Sequence, residues 1–121
     1  MAQILIVDDS KPQAKAIAQM LEKNGHATEI VDNGRDGIEL AKTSLPNLVI
    51  MDVVMPELNG FQATREITRN PSTEHIPVVL VSGKSQETDR LWGTRQGAKG
   101  YLVKPIDEQV LLNTIDELVP N

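Results

Sequence analysis

The sequence has no cysteine, which excludes a disulfide framework, a zinc ribbon and thiol catalysis. Aromatic residues are almost as scarce: Phe61, Trp92 and Tyr101 are all there are, so a core has to be built from Ile, Leu, Val and Ala. No apolar run approaches the roughly 20 residues that cross a bilayer. The opening Met1-Ala2-Gln3 places no basic flank ahead of an apolar segment, unlike a secretory leader. The expectation is a cytoplasmic chain without membrane insertion. Positive charge is also lacking, with 12 Lys and Arg against 17 Asp and Glu and a net charge of −5. Without a basic stripe or interleaved aromatics, direct nucleic-acid binding is not expected.

What is present is the composition of an ordinary globular domain, 40% hydrophobic and 24% charged over 121 residues, and one domain spanning residues 1–121 is expected. Short apolar runs alternate with amphipathic segments. The runs are Ile4–Val7, Ala27–Val31, Leu48–Met51, Val78–Val81 and Tyr101–Val103. Four are continuous or rich in β-branched residues, as strands buried on both faces of a parallel sheet are. The second is more polar, as an edge strand is.

Helical periodicity fills the gaps. Ala14, Ile17, Ala18 and Leu21 recur at i, i+3, i+4 and i+7, and Ile38, Ala41 and Leu45 form a looser stripe. Leu111, Ile115 and Leu118 form the last. Ser10, Asn33, Asn59 and Asp107 are N-cap candidates, with Gln62 three residues after Asn59 in capping-box spacing. Gly25 and Gly97 are placed to end the first and fourth helices. The pattern predicts an α/β fold of five βα units, a parallel sheet covered by helices on both faces. In such an open sheet, sites form beyond the carboxyl ends of the strands at the switch point.

Reading those strand ends gives Asp8 and Asp9 after the first run, Asp52 after the third, Ser82 after the fourth and Lys104 after the fifth. An isolated Asp at a strand end is usually a turn residue or cap. Three together are different, because a close pair of carboxylates costs on the order of 4 kcal/mol at 4 Å in an effective dielectric near 20. A hard divalent cation relieves that repulsion, and Mg²⁺, with Mn²⁺ as substitute, suits oxygen ligands. Without metal, at least one carboxylate is expected to titrate high through like-charge repulsion. A carboxylate can act as nucleophile toward phosphorus, and Asp52, on the central strand, is the candidate. Asp8 and Asp9 would hold the metal, while Lys104 and Ser82 would meet two phosphoryl oxygens.

Asp8-Asp9, Asp52 with Met55-Pro56 and Gly60, Ser82-Gly83 and Lys104-Pro105 together resemble the response-regulator receiver domain over essentially the whole chain. The resemblance implies a doubly wound, flavodoxin- and CheY-like fold with strand order 2-1-3-4-5 (an order the CheY family itself illustrates). It implies phosphorylation of Asp52 by a histidine kinase or phosphotransfer domain, without turnover in the enzymatic sense. It further implies Mg²⁺ ligation by Asp9, Asp52 and the Val54 carbonyl, with Asp8 bound through water, and a cis Lys104-Pro105 bond. Ser82 and Tyr101 resemble the family's switch pair, which biases a downstream-partner surface on the fourth helix, fifth strand and fifth helix.

The stretch from Met51 through Arg65, with Gln86-Glu87-Thr88-Asp89, Trp92-Gly93 and Arg95-Gln96-Gly97-Ala98, resembles stand-alone receivers of the PilH type, which belong to chemosensory systems controlling type IV pili and twitching motility. No output domain is expected after the fifth helix. Val54 and Lys84 depart from the chemotaxis pattern, where a polar side chain two residues after the phosphoacceptor orients water and an acid follows the hydroxyl by two. Slow self-dephosphorylation is the expectation. Trp92 is expected to serve the core, with partner contact as the alternative. His26 and His75 read as surface or turn residues, and the methionines as core filling.

Rival readings are a phosphatase of the haloacid-dehalogenase kind, which needs a second carboxylate where Val54 stands, and a flavodoxin-type flavin binder, whose phosphate Asp8-Asp9 would repel. A third is a receiver that drains phosphoryl groups from a shared kinase as a sink or docking module.

Overall fold

A computed structural model describes residues 1–83 and 87–120. Five strands and five helices alternate: β1 Gln3–Val7, α1 Lys11–Glu22, β2 Ala27–Val31, α2 Gly34–Ser44, β3 Leu48–Asp52, α3 Gly60–Arg69, β4 Val78–Ser82, α4 Glu87–Arg95, β5 Gly100–Val103 and α5 Glu108–Leu118. All strand pairs are parallel and the order is β2-β1-β3-β4-β5. The expected CheY-like topology is therefore present.

β3 and β4 are buried at every position, because helices cover both faces of the sheet. One aliphatic layer centres on Leu5, Val49, Met51, Ile67 and Leu80, and the other on Ile6, Ile17, Leu21, Ile50 and Leu111. Alternation along each strand divides its residues between these layers. β2 is mostly exposed, as expected of an edge. β5 is only half-buried throughout, contrary to its continuous apolar reading, since it forms the opposite edge of the sheet.

Each predicted cap is formed. Ser10 accepts from Gln13 N, Asn33 from Asp36 N and Asp107 from Val110 N. Asn59 and Gln62 close a reciprocal box at 2.9 Å each way. Beyond α1, His26 N bonds Leu21 O and Gly25 N bonds Glu22 O, with Gly25 at φ +91°. That is the left-handed closure predicted for Gly25, placed a few residues past the regular helix. Leu45 departs from its stripe. It takes a left-handed conformation just past α2 and is 50% exposed.

Trp92 is not a core residue: it is 49% exposed. Gly93 is the buried position of α4, and a Cβ there would lie 2.7 Å from Leu80 Cδ1. The helix thus packs on the sheet through its glycine and carries the neighbouring indole outward. Met51 and Met55 fill the core as expected, whereas Met1 is 98% exposed. His26 does more than occupy a turn, since its Nδ1 accepts from Ala2 N at 3.1 Å. No helix among the described residues is long and apolar enough to cross a membrane.

Candidate functional site

The switch point of the sheet falls between β1 and β3, where successive crossovers leave in opposite directions. Asp8 follows β1 directly, and its backbone N–H remains tied to Val31 O at 3.1 Å. One of its carboxylate oxygens accepts from Ser10 N at 2.9 Å, which fixes the carboxylate while Ser10 caps α1. Asp52 does not follow β3 but is its last residue, paired with Val81 of β4. Ser82 likewise ends β4 and is paired with Val103. Both are therefore held by the ladder and not by a turn.

Asp8 is 2% and Asp52 5% exposed, while Asp9 is exposed at the mouth. One oxygen of each lies within 4.8 Å of the others. Oxygens sharing an octahedral Mg²⁺ at about 2.1 Å stand about 3.0 Å apart when adjacent and about 4.2 Å apart when opposite, so the three carboxylates draw in further to meet on one ion. The all-oxygen donor set, with one acid open to water, fits such a cation. The Val54 carbonyl takes no hydrogen bond among the described residues, while the Val54 side chain is 63% exposed and offers no polar group.

Lys104 reaches across from the end of β5. Its Nζ donates to Asp52 Oδ1 at 3.0 Å and lies 3.6 Å from Asp8 Oδ2. Lys104 N donates to Ser82 O at 2.8 Å, and the Lys104-Pro105 peptide is cis, as the family resemblance implied. The Asp52 carboxyl is raised from its ordinary 3.8 to about 6. Burial is the largest cause; the Lys104 hydrogen bond opposes it, and repulsion from Asp8 and Asp9 adds less. The expected high titration is present, but with desolvation and not charge repulsion in the lead.

Gly60, at the start of α3, is required by close approach. A Cβ there would sit 2.2 Å from the Asp52 carbonyl oxygen, and Gly60 N donates to Val53 O at 2.9 Å. The amino end of α3 therefore packs directly on the backbone that carries Asp52.

Two contacts were not read from the sequence. Gln13 Oε1 accepts from Lys104 Nζ, giving the ammonium a third neighbour on α1. Arg90 lies over the Tyr101 ring, with Cζ 5.1 Å from the centroid, and donates to Tyr101 O at 3.3 Å. Gln13 could have been suspected from its place one turn into the helix that follows Asp9. Arg90 had no local signal, because its contact depends on how α4 lies along β5. Ser82 is 1% exposed and Tyr101 half-buried. Lys84 lies outside the described residues.

Comparison with known proteins agrees with this geometry. The family model for the response regulator receiver domain matches residues 4–116. The chain is 53% identical over 119 residues to protein PilH of Pseudomonas aeruginosa, covering 98% of each chain. The chemotaxis protein CheY4 of Vibrio cholerae superposes with a TM-score of 0.92 at 27% identity, over 98% of this chain and 99% of that one. A receiver domain of a histidine kinase from Syntrophus aciditrophicus gives a TM-score of 0.89 at 35% identity, covering 98% and 89%.

Proposed function

Because the chain belongs to the response regulator receiver domain family, we propose that Asp52 accepts a phosphoryl group from a phosphohistidine on a histidine kinase or phosphotransfer domain. One Asp52 oxygen bonds to phosphorus as the bond from phosphorus to the imidazole nitrogen breaks, and the imidazole leaves with a proton from solvent. The observation that carries this reading is the buried Asp52 carboxylate, with Lys104 Nζ at 3.0 Å and two further carboxylates beside it. Asp8, Asp9, Asp52 and the Val54 carbonyl would hold Mg²⁺, or Mn²⁺ in its place, which when bound supplies positive charge against the phosphoryl oxygens.

Lys104 moves its ammonium from the carboxylate to a phosphoryl oxygen, and Ser82 donates its hydroxyl to another. The apolar Val54 at the mouth leaves an attacking water without a side-chain partner, which prolongs the acyl phosphate. Ser82 and Tyr101 then transmit the change to α4, β5 and α5, where Leu91, Trp92 and Val110 are about half exposed. Trp92 serves here as a contact residue for a downstream protein.

The 53% identity to PilH over 119 residues supports a cytoplasmic receiver in pilus control. The phosphatase reading is set aside, because Val54 stands where that chemistry needs its second acid. Incubation with an autophosphorylated histidine kinase tests the proposal. Label should move to wild type, stay on the kinase with Asp52→Ala, and transfer slowly in EDTA. Label reaching the Asp52→Ala protein equally would overturn it. Phosphorylation-dependent capture of a partner supports output; drainage of the kinase without such a partner supports a sink.

A further inference from the structure

At the far end of the sheet from the acidic cluster, where β4 and β5 begin, lies a hollow of about 470 Å³. Arg69 at the end of α3, His75, Arg95 at the end of α4 and Lys99 before β5 line it, and Glu74 is its one acid. The chain as a whole is acidic, at net −5. Yet Arg69, Arg95 and Lys99 enter no ion pair among the described residues. The acids at the other end do not compensate them. The span of β4, about 13 Å at 3.3 Å per residue, exceeds the roughly 8 Å screening length at physiological salt.

A second observation is independent of charge. Gln96 also lines the hollow and is only 7% exposed. Its backbone is satisfied: its carbonyl accepts from Thr68 Oγ1 at 2.6 Å, and its N–H bonds back to Trp92 and Gly93. Its carboxamide makes no hydrogen bond among the described residues. Its polar atoms open onto the hollow, where a bound group can pair with them. Gly97, at φ +99° and with Thr68 Oγ1 only 2.5 Å from where a Cβ would stand, locks this corner.

We propose that this hollow binds a small molecule carrying two or more phosphate groups. Guanidinium forks of Arg69 and Arg95 match phosphate oxygens bidentately, and Lys99 adds a point charge. The Gln96 Nε2–H donates to an oxygen placed deeper. Ile76, Pro77 and Leu118 leave an apolar wall for the carbon framework. The site is separate from phosphorylation of Asp52 and does not depend on it.

The test is an amide-resonance titration of the full chain with inorganic pyrophosphate and with ADP, without Mg²⁺ and in the Asp52→Asn background, which keeps the acidic site out of the signal. Saturable shifts of the Gln96 side-chain amide and of the Gly97 and Lys99 backbone, with Kd below about 1 mM at roughly 150 mM salt, are expected. Arg69→Ala and Arg95→Ala, both at exposed positions, should each weaken binding about tenfold while leaving the remaining spectrum unchanged. The proposal is overturned by non-saturating shifts, by binding as tight as wild type in either variant, or by an equal response to sulfate at matched ionic strength. Binding of an acidic peptide where neither phosphate compound binds would also overturn it.

Discussion

Replacing the buried carboxylate of Asp52 with a neutral amide should stabilise the metal-free protein, with a pH dependence fixed by the site. The folded protein holds this carboxyl at about 6 against an ordinary 3.8, with burial the largest cause. The folded state therefore binds the proton more tightly than the unfolded chain. Ionisation opposes folding, and stability from this group falls as pH rises through the interval from 3.8 to about 6. Above that interval the full penalty is present; below it none is. The interval corresponds to about 3 kcal/mol at most, at 1.36 kcal/mol per pH unit. Asp52→Asn removes the charge, keeps an oxygen that can accept from Lys104, and adds little volume. It should gain about 1–3 kcal/mol at pH 8. Urea denaturation in EDTA, repeated from pH 8 to below pH 4, measures this as the difference between the two proteins, in which other groups cancel. The difference should shrink to near zero at the acid end. A variant less stable than wild type at pH 8, or a difference independent of pH, would refute the reasoning.

Other perturbations follow from the same geometry. Gly60→Ala drives a methyl into the Asp52 carbonyl oxygen and should cost about 3 kcal/mol in urea denaturation, with parallel loss of phosphorylation; a neutral effect would show that α3 does not pack on that backbone. Val54→Asn places a water-orienting amide at the mouth. One hydrogen bond of about 1 kcal/mol shortens the phosphoryl lifetime about fivefold, and an unchanged lifetime counts against Val54 as its cause. Lys104→Met removes the partner that lowers the Asp52 carboxyl, so its titration, followed by carboxyl NMR without metal, should move above that of wild type. Mg²⁺ at about a hundred times its Kd should raise the folding free energy of wild type by about 2.7 kcal/mol, and much less in Asp52→Ala.

The sequence revealed the site because parallel strands buried on both faces read as unbroken apolar runs, and the residues ending them must meet at one edge. Asp8, Asp52, Ser82 and Lys104 were found that way, and the side-chain caps of α1, α2, α3 and α5 by local chemistry alone. What sequence could not show depends on how elements lie against one another. Trp92 carries every mark of a core residue, yet Gly93 beside it forms the packing surface of α4. Strand β5 has a buried-strand sequence, but its place at the sheet edge leaves it half covered. Gln13 meets Lys104, and Arg90 meets Tyr101, across sequence gaps that no periodicity spans. The elevated Asp52 carboxyl was anticipated, but its leading cause was not, because burial depends on the helices packed above the strand end.

The most direct measurement is the intact mass of wild type and Asp52→Ala after incubation with a small phosphodonor and Mg²⁺. The account predicts one added phosphoryl group on wild type, none on the variant, and none on either in EDTA. An equal gain on the variant, or a gain on wild type indifferent to the metal, would contradict it.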